Sequence, residues 1–161
     1  MSRQKPAEVR PVRKADNESV IALLRKHAQY HSELAPGYFR TGLSQTECNK
    51  YLRGYTGKRK AKMFVAVQDE KVVGIISGKI EKPISILIEP RLTGMITRVY
   101  VDDSYRRKGI GRQMMTTMLD WFRNKGVKFA NIGSIGANTL GTKVWKNMGF
   151  EIESYRLVTR L

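Results

Sequence analysis

Cysteine is almost absent from this chain of 161 residues, which contains only Cys48. A single thiol excludes an intramolecular disulfide and supplies no cluster of thiolate ligands for zinc. The sequence therefore predicts neither a disulfide framework nor a metal site.

Long apolar runs are also lacking. The densest apolar stretch, around Ile84 to Ile88, is far shorter than the roughly 20 residues that span a bilayer. The first residues, Met1 to Pro6, lack the apolar core of a signal peptide. We therefore expect a cytoplasmic protein with no membrane partner, and a length of 161 residues predicts a single domain over residues 1–161.

Acidic residues are scarce, since 14 Asp and Glu stand against 30 Lys and Arg, which gives a formal charge of +16. Such an excess attracts polyanions at a distance. The densest basic run, Arg53 to Lys62, contains Lys58, Arg59 and Lys60. A solvated loop is the commoner explanation of such a run, and association with nucleic acid, with ribosomes or with an acidic substrate stays open.

Apolar periodicity predicts alternating strands and helices in the first half of the chain. A strand over Val9 to Val12 precedes a helix that Asp16 caps and that ends near His31. Ser44 and Glu47 have the spacing of a capping box for a second helix, which Gly54 and Gly57 stop. Two further strands, Met63 to Val67 and Val72 to Ile76, form a hairpin, and the alternation of Ile84, Ile86 and Ile88 between Pro83 and Pro90 suggests a strand extension or flap.

The second half continues the alternation. We expect a strand over Met95 to Val101, a helix from Gly109 to Gly126, a strand over Phe129 to Ile135, a helix over 138–148 and one or two final strands over Glu151 to Leu161. The helix over 138–148 directs Leu140, Val144 and Met148 inward. The whole pattern predicts an α/β fold in which helices flank a mixed, mostly antiparallel sheet.

The most informative stretch joins a β-branched segment to an amphipathic helix. It reads Arg106, Arg107, Lys108, Gly109, Ile110, Gly111, Arg112. Two glycines let backbone N–H groups surround an anion, and the helix that follows directs its positive dipole end at the same place. The stretch therefore predicts a phosphate-binding loop, although a basic turn that opens a helix is more often only a solvated cap.

Two motifs in this order resemble the GNAT superfamily of acetyltransferases. Arg106, Gly109 and Gly111 fit the R-x-x-G-x-G pattern of its acyl-CoA loop. Downstream, the second pattern of the family is matched at Asn138, Gly141, Trp145, Gly149 and Phe150, with Gly141 in place of alanine and Trp145 in place of tyrosine. The resemblance is specific over residues 94–161, whereas residues 8–90 fit only in the order of their elements.

The resemblance implies that acetyl-CoA is the acyl donor and that a primary amine is the acceptor. It also implies that the N–H of Val99 polarises the thioester carbonyl and that the Val99–Tyr100–Val101 backbone holds the pantetheine arm. The stretch from Arg106 to Arg112 would bind the pyrophosphate, and Asn138 would contact the pantetheine. Asn138 is equally explained as the N-cap of its helix.

The acid and the base of the reaction are not identified by the motifs. Trp145 replaces the tyrosine often used as general acid, and an indole N–H cannot donate a proton in catalysis. Trp145 is still a candidate to pack against the pantetheine arm, although it is at least as well explained as a tryptophan that caps the core. Met95 replaces the glutamate that some relatives carry. Glu81 is a candidate base acting through water and His31 another, although both side chains are equally typical of a solvated surface. Tyr155 is a candidate acid from the last strand, although strand tyrosines usually serve packing.

Three function classes follow. The first is an N-acetyltransferase that works by direct attack in a ternary complex. The second is a CoA-sensing module without catalysis, which the absent tyrosine and glutamate favour. The third is a nucleic-acid-binding protein, supported by charge and by tyrosines near the basic run from Arg53 to Lys62. The sequence does not identify the acceptor, and it leaves a homodimer open.

Overall fold

In the part of the chain that the structure describes, five strands form one mixed sheet in chain order. The computed structural model describes residues 6–83, 86–89 and 91–160. The strands are β1 (Glu8–Pro11), β2 (Ala61–Gln68), β3 (Lys71–Glu81), β4 (Thr93–Val101) and β5 (Phe129–Ile132). The helices are α1 (Asn17–Leu34), α2 (Gln45–Arg53), α3 (Ile110–Asn124) and α4 (Thr139–Lys146), with short 3-10 turns at Lys14–Asp16 and Asp103–Tyr105.

The strand pairings confirm the mixed, mostly antiparallel sheet. Strands β1 to β4 are antiparallel neighbours, and β5 lies parallel to β4. The predicted hairpin is β2–β3, closed by Asp69 and Glu70 with φ angles of 49° and 62°. Two consecutive left-handed residues twist the turn in the sense that a two-residue hairpin needs.

Helix α3 covers one face of the sheet at very close range. The residues of α3 that are fully buried there are Met114, Met115 and Met118, and Phe122 is 2% exposed. A Cβ on Gly94 of β4 would lie 2.6 Å from a ring carbon of Phe122, and one on Gly78 of β3 would lie 2.8 Å from the sulfur of Met118. The sheet therefore needs glycine at these positions, because any side chain would push α3 away.

Helices α1 and α2 cover the opposite face. Their buried residues pack on Met63, Val65, Ile75 and Tyr100 of the sheet; they are Val20, Ile21, Leu23, Leu24, Cys48 and Leu52. The capping box of α2 is confirmed, since Ser44 and Glu47 each bond to the other's backbone N–H. The Glu47 carboxylate accepts bonds from the backbone and hydroxyl of Ser44 and from Arg40, and together these bonds lower the pKa of Glu47 to about 2.

Several local expectations differ from the structure. Asp16 stands at the N-cap position of α1, but its carboxylate accepts bonds from Arg10 and from the N–H of Arg13 instead of capping the helix. Helix α1 continues to Leu34, three residues past His31. Residues 86–89 form no strand, with Ile86 98% exposed, while Ile84 and Pro90 lie outside the described residues.

The C-terminal third also departs from the predicted pattern. The described residues 151–160 form no strand, and β5 ends at Ile132 instead of Ile135. Helix α4 does not bury its whole apolar stripe, because Leu140 is 75% and Val144 42% exposed, although Met148 packs against the α3 side of the core. Among the described residues, no helix is long and apolar enough to cross a membrane.

Candidate active site

A β-bulge in the middle of β4 sets the geometry of the site. Ser77 of β3 pairs with Arg98 and the next residue, Gly78, pairs with Ile96, so Thr97 is the extra residue. The Thr97 hydroxyl lies 2.7 Å from that of Tyr55 and 2.9 Å from that of Ser77. The bulge thus directs Thr97 and Arg98, although consecutive, to the α2 side of the sheet, where a regular strand would alternate.

The pairing between β4 and β5 ends at this bulge. Thr93 to Ile96 are paired with Phe129 to Ile132, and beyond them residues 97–101 have no partner strand on the β5 side within the described part of the chain. An open strand edge beside a diverging neighbour accommodates an extended ligand that bonds to the backbone as a strand would. Val99 and Val101, whose side chains pack toward α3, form this edge.

The loop after β4 turns into α3 through two left-handed residues. Arg107 has φ 62° and Gly109, the N-cap of α3, has φ 79°. A Cβ placed on Gly109 would meet no heavy atom within 4 Å, so the space in front of the helix N-terminus is open. The side chains of Arg107, Lys108 and Arg112 are exposed around it. Free N–H groups, the helix dipole and these cations together suit a phosphate group.

Arg106 differs from the other cations of the loop because its guanidinium is occupied. It donates to the carbonyl of Val101 at 3.1 Å and pairs with Asp103 at 2.6 Å. Its central carbon also lies 5.0 Å from the ring centre of Tyr30 and 5.3 Å from that of Tyr100. Arg106 therefore connects the end of β4 to α1 and supports the loop mechanically.

Asn138 caps α4, which is one of its two predicted roles. Its Oδ1 accepts from the N–H of Gly141 at 3.0 Å, which makes it the N-cap of α4, and from the hydroxyl of Tyr30 on α1 at 3.2 Å. A Cβ on Gly141 would lie 2.5 Å from Nδ2 of Asn138. Glycine in place of the usual alanine therefore leaves room for this side-chain conformation.

Trp145 lies on α4, half-buried, and packs against the α3 side of the core. Met95 lies on β4 and is 37% exposed. Neither side chain carries a group that titrates at neutral pH. The positions at which relatives of the family carry an acid and a base therefore supply neither here.

Two histidines lie one turn apart on α1, and one of them contacts β4. His27 stacks on Tyr100 with ring centres 5.2 Å apart, and His31 meets His27 edge-on at 4.1 Å and Phe39 at 5.1 Å. Burial lowers the pKa of His27 to about 3, helped by the charges of His31, Arg98 and Arg106. Burial and the charge of Arg98 also lower the pKa of the half-buried His31.

The side chain of Tyr100 is 6% exposed and stacks on His27. Burial, with the charge of Asp103, raises the pKa of this phenol to about 12. The side chain therefore stays protonated at neutral pH and stabilises the α1 side of the core.

The structure does not bring Glu81 or Tyr155 to this edge. Glu81 is in register with Thr93, six residues before Val99, which is about 20 Å along a strand. Tyr155 was expected on a final strand, but it lies in the irregular segment 151–160 and is 79% exposed. The structure thus places His27 against Tyr100, with His31 beside His27, and not these two residues.

Sequence reasoning missed Arg98, His27 and Tyr51, which the fold brings to the same face of the sheet. The guanidinium of Arg98 lies 4.8 Å from the ring centre of Tyr51. Nothing in the local sequence marks a bulge at Thr97, so the change in the direction of Arg98 had no readable signal. The position of Arg98 directly before Val99 was the one available indication.

The sequence of this chain is similar to the sequences of known acetyltransferases. The model of the acetyltransferase (GNAT) family matches residues 15–150. Human N-acetyltransferase 8 is 28% identical over 108 residues, which is 66% of this chain and 45% of that protein, so the chain spans about half the length of this relative.

Solved structures share the fold at low sequence identity. A tetramutant of the BH1408 protein from Bacillus halodurans superposes with a TM-score of 0.85 at 18% identity, covering 96% of this chain and 99% of that one. The aminoglycoside N-acetyltransferase AAC(6')-Iy in complex with CoA gives a TM-score of 0.78 at 19% identity, covering 100% and 98%.

Proposed function

Because this chain belongs to the acetyltransferase (GNAT) family, we propose that it transfers the acetyl group of acetyl-CoA to a primary amine in a ternary complex. The observation that carries the proposal is the open edge of β4 after the bulge, which leads directly into the loop that opens α3. One end of that path suits an acyl group and its amide-containing arm, and the other end suits phosphates. Acetyl-CoA has these chemical parts in the same order.

The donor would lie along β4 with its pyrophosphate at the N-terminus of α3. The N–H groups from Arg107 to Gly111 would hold the phosphates, while the exposed side chains of Arg107, Lys108 and Arg112 neutralise their charge. The backbone of Val99 and Val101 and the side chain of Asn138 would hold the pantetheine arm. Trp145 would contribute packing alone.

The reaction needs a neutral amine, a donor to the developing oxyanion and a proton for the leaving thiolate. The N–H of Val99 would donate to the thioester oxygen. The amine nitrogen forms the new C–N bond as the C–S bond breaks, and His31 would accept the proton that the amine loses. The protonated His31, through water, or solvent water itself would return a proton to the CoA thiolate, since Trp145 cannot.

We further propose that the excess positive charge serves RNA, free or on the ribosome surface. The observation in favour is a cavity of about 630 Å³ at the end of the sheet away from the loop; the cations that line it are Lys58, Arg59, Lys60, Lys79 and Lys125. Among the described residues, Glu81 is the one carboxylate that lines it. Because like charges repel, this lining favours an anionic partner.

The loop assignment is tested by a matched pair of glycine substitutions at the two ends of α3. Gly109 and Gly126 have φ angles of 79° and 76°, and neither would bring a new Cβ within 4 Å of another heavy atom. Gly109→Glu and Gly126→Glu therefore cost similar backbone strain, roughly 1 kcal/mol of unfolding free energy. We expect calorimetry to show a loss of CoA affinity of more than tenfold for Gly109→Glu alone.

Equal CoA affinity of the two variants would contradict the loop assignment. Thiol release from acetyl-CoA in the presence of a panel of amines then separates the two remaining functions. Turnover with any amine supports the transferase, whereas CoA binding without turnover favours the CoA-sensing module.

A further inference from the structure

Arg98 is a cation that its described surroundings leave without a counter-charge. Its guanidinium lies 4.8 Å from the ring centre of Tyr51, its Nε is buried, and this atom has no hydrogen-bond partner among the described residues. None of the ion pairs among residues 6–83, 86–89 and 91–160 involves Arg98. The neighbouring Arg106, by contrast, pairs with Asp103.

The groups that face Arg98 do not compensate its charge. Tyr51 presents the face of a ring, and Thr97 beside it is already bonded to Tyr55 and Ser77. His27 and His31 feel its positive charge, which adds to burial in lowering their pKa values, so both are neutral at pH 7. A half-buried guanidinium in such a setting is stabilised by an anion that approaches from the open side.

The position of Arg98 next to Val99 indicates that this anion belongs to the acceptor molecule. Arg98 directly precedes Val99, and consecutive Cα atoms are about 3.8 Å apart. Under the proposed function the thioester carbonyl lies at Val99, so an amine attacking it comes within reach of the guanidinium. The CoA phosphates are not the anion, because Arg98 faces Tyr51 of α2 from within β4, whereas the loop that would hold the phosphates follows the end of this strand.

We propose that Arg98 binds a carboxylate of the acceptor, and that the acceptor is therefore an amino acid with a free carboxylate. This inference rests on the proposed function, whose site it extends. A guanidinium donates two parallel bonds to a carboxylate, which fixes the amine of the same molecule relative to the thioester. Polyamines and lysine-rich peptides, which carry further positive charge, are excluded by the same group.

The test compares three amines that differ only in the group beside the amine: L-phenylalanine, L-phenylalaninamide and phenethylamine. We expect the protein to use the acid with a kcat/KM roughly 10- to 100-fold above that of the amide, as expected for a charge-assisted bond. The amide has the less basic amine and more of it neutral, so amine reactivity would give the opposite order.

Arg98→Gln should abolish the preference through a higher KM for the acid, while the KM for the amide, which has no carboxylate to bind, should change little. Arg98→Lys should restore part of it, since the charge remains but the planar fork is lost. Arg91→Gln is the matched control, because the Arg91 guanidinium lies 4.2 Å from the ring centre of Phe129 in an exposed position. We expect that variant to behave as the parent.

A second measurement needs no turnover. Calorimetry of the CoA-saturated protein with N-acetyl-L-phenylalanine and with its amide should show tighter binding of the acid, lost in Arg98→Gln while CoA affinity is kept. Equal binding of the two products, or binding of neither, would overturn the proposal. If the acid binds preferentially but no amine is acetylated, the carboxylate site stands and the transferase function fails.

Discussion

At the residue scale, the two histidines of α1 differ in how far they can take part in proton transfer. His27 is 5% exposed, and burial brings its pKa to about 3, so it stays neutral and serves packing against Tyr100. His31 is half-buried, with a pKa lowered less by burial and by Arg98. A base is useful when it is neutral at the working pH, and a lowered pKa secures that state.

The role of His31 predicts the pH profile of kcat. A base is active only when neutral, so kcat is constant above its pKa and falls as the pH decreases through it. Because the pKa of His31 is lowered from 6.5, this fall should occur below pH 6.5. Arg98→Gln removes one cause of the lowering, so with L-phenylalaninamide as acceptor the fall should move to higher pH. His31→Gln should reduce kcat by about 10²-fold and remove the fall.

The control for this profile is His27→Phe, which removes the other imidazole and keeps a stacked ring beside Tyr100. Since the pKa of His27 lies near 3, this variant should leave the profile above pH 5 in place. A fall in kcat that persists unchanged in His31→Gln would assign the base to another group.

At the scale of helices and strands, the sequence predicts those features that a few neighbouring residues determine. The capping box of Ser44 and Glu47 and the helix that opens at Gly109 follow from a few neighbouring residues, and the structure contains both. The final strand over 151–161 could not be judged in this way. Its apolar residues fit a strand, but strand formation requires a partner edge, and residues 151–160 lie exposed without one in the described chain.

The residues of the candidate site likewise divide into those that leave a signal in the local sequence and those that do not. The motif residues from Arg106 to Arg112 and Asn138 could be proposed from the sequence because their expected roles depend on backbone conformation and capping, which leave local signals. Arg98 could not be found, since its direction depends on a bulge defined by the register of β3 against β4. The distance of Glu81 from Val99 could not be read from the sequence for the same reason, because only the register shows it.

The close contact between α3 and Gly94 of β4 predicts that a side chain at this position destabilises the fold. Gly94→Ala places a Cβ 2.6 to 2.8 Å from three ring atoms of Phe122, whose side chain is buried under α3. We expect overpacking to lower the free energy of unfolding by about 1–3 kcal/mol, measured by urea denaturation. Phe122→Leu alone destabilises by loss of buried surface. The double variant should be less destabilised than the sum of the two, whereas additive losses would show that the sheet yields elsewhere.

At the scale of the whole molecule, charge is distributed over two ends of the sheet. The cations at Arg107, Lys108 and Arg112 follow the last residues of β4, while the basic cavity is lined by the last residues of β3 and the segment before β2. Lys79 and Glu81 pair with Met95 and Thr93 at the start of β4. The two basic regions are thus separated by most of the length of a strand, so each can be altered without the other.

This separation allows the use of the excess charge to be measured with two triple variants of equal formal charge. Lys58→Ala, Arg59→Ala and Lys60→Ala together remove three cavity cations, whereas Lys14→Ala, Lys71→Ala and Lys143→Ala remove three exposed charges elsewhere. If the cavity binds RNA, the first triple should weaken binding of a single-stranded RNA oligonucleotide in fluorescence anisotropy. The slope of the logarithm of the RNA-binding constant against the logarithm of the salt concentration should become shallower by about 2. This is near 0.7 for each phosphate that is no longer neutralised. CoA affinity should stay unchanged in both. Equal losses of RNA affinity in the two triple variants would show that net charge alone governs RNA binding. If the parent protein binds no RNA, the cavity cations serve solubility.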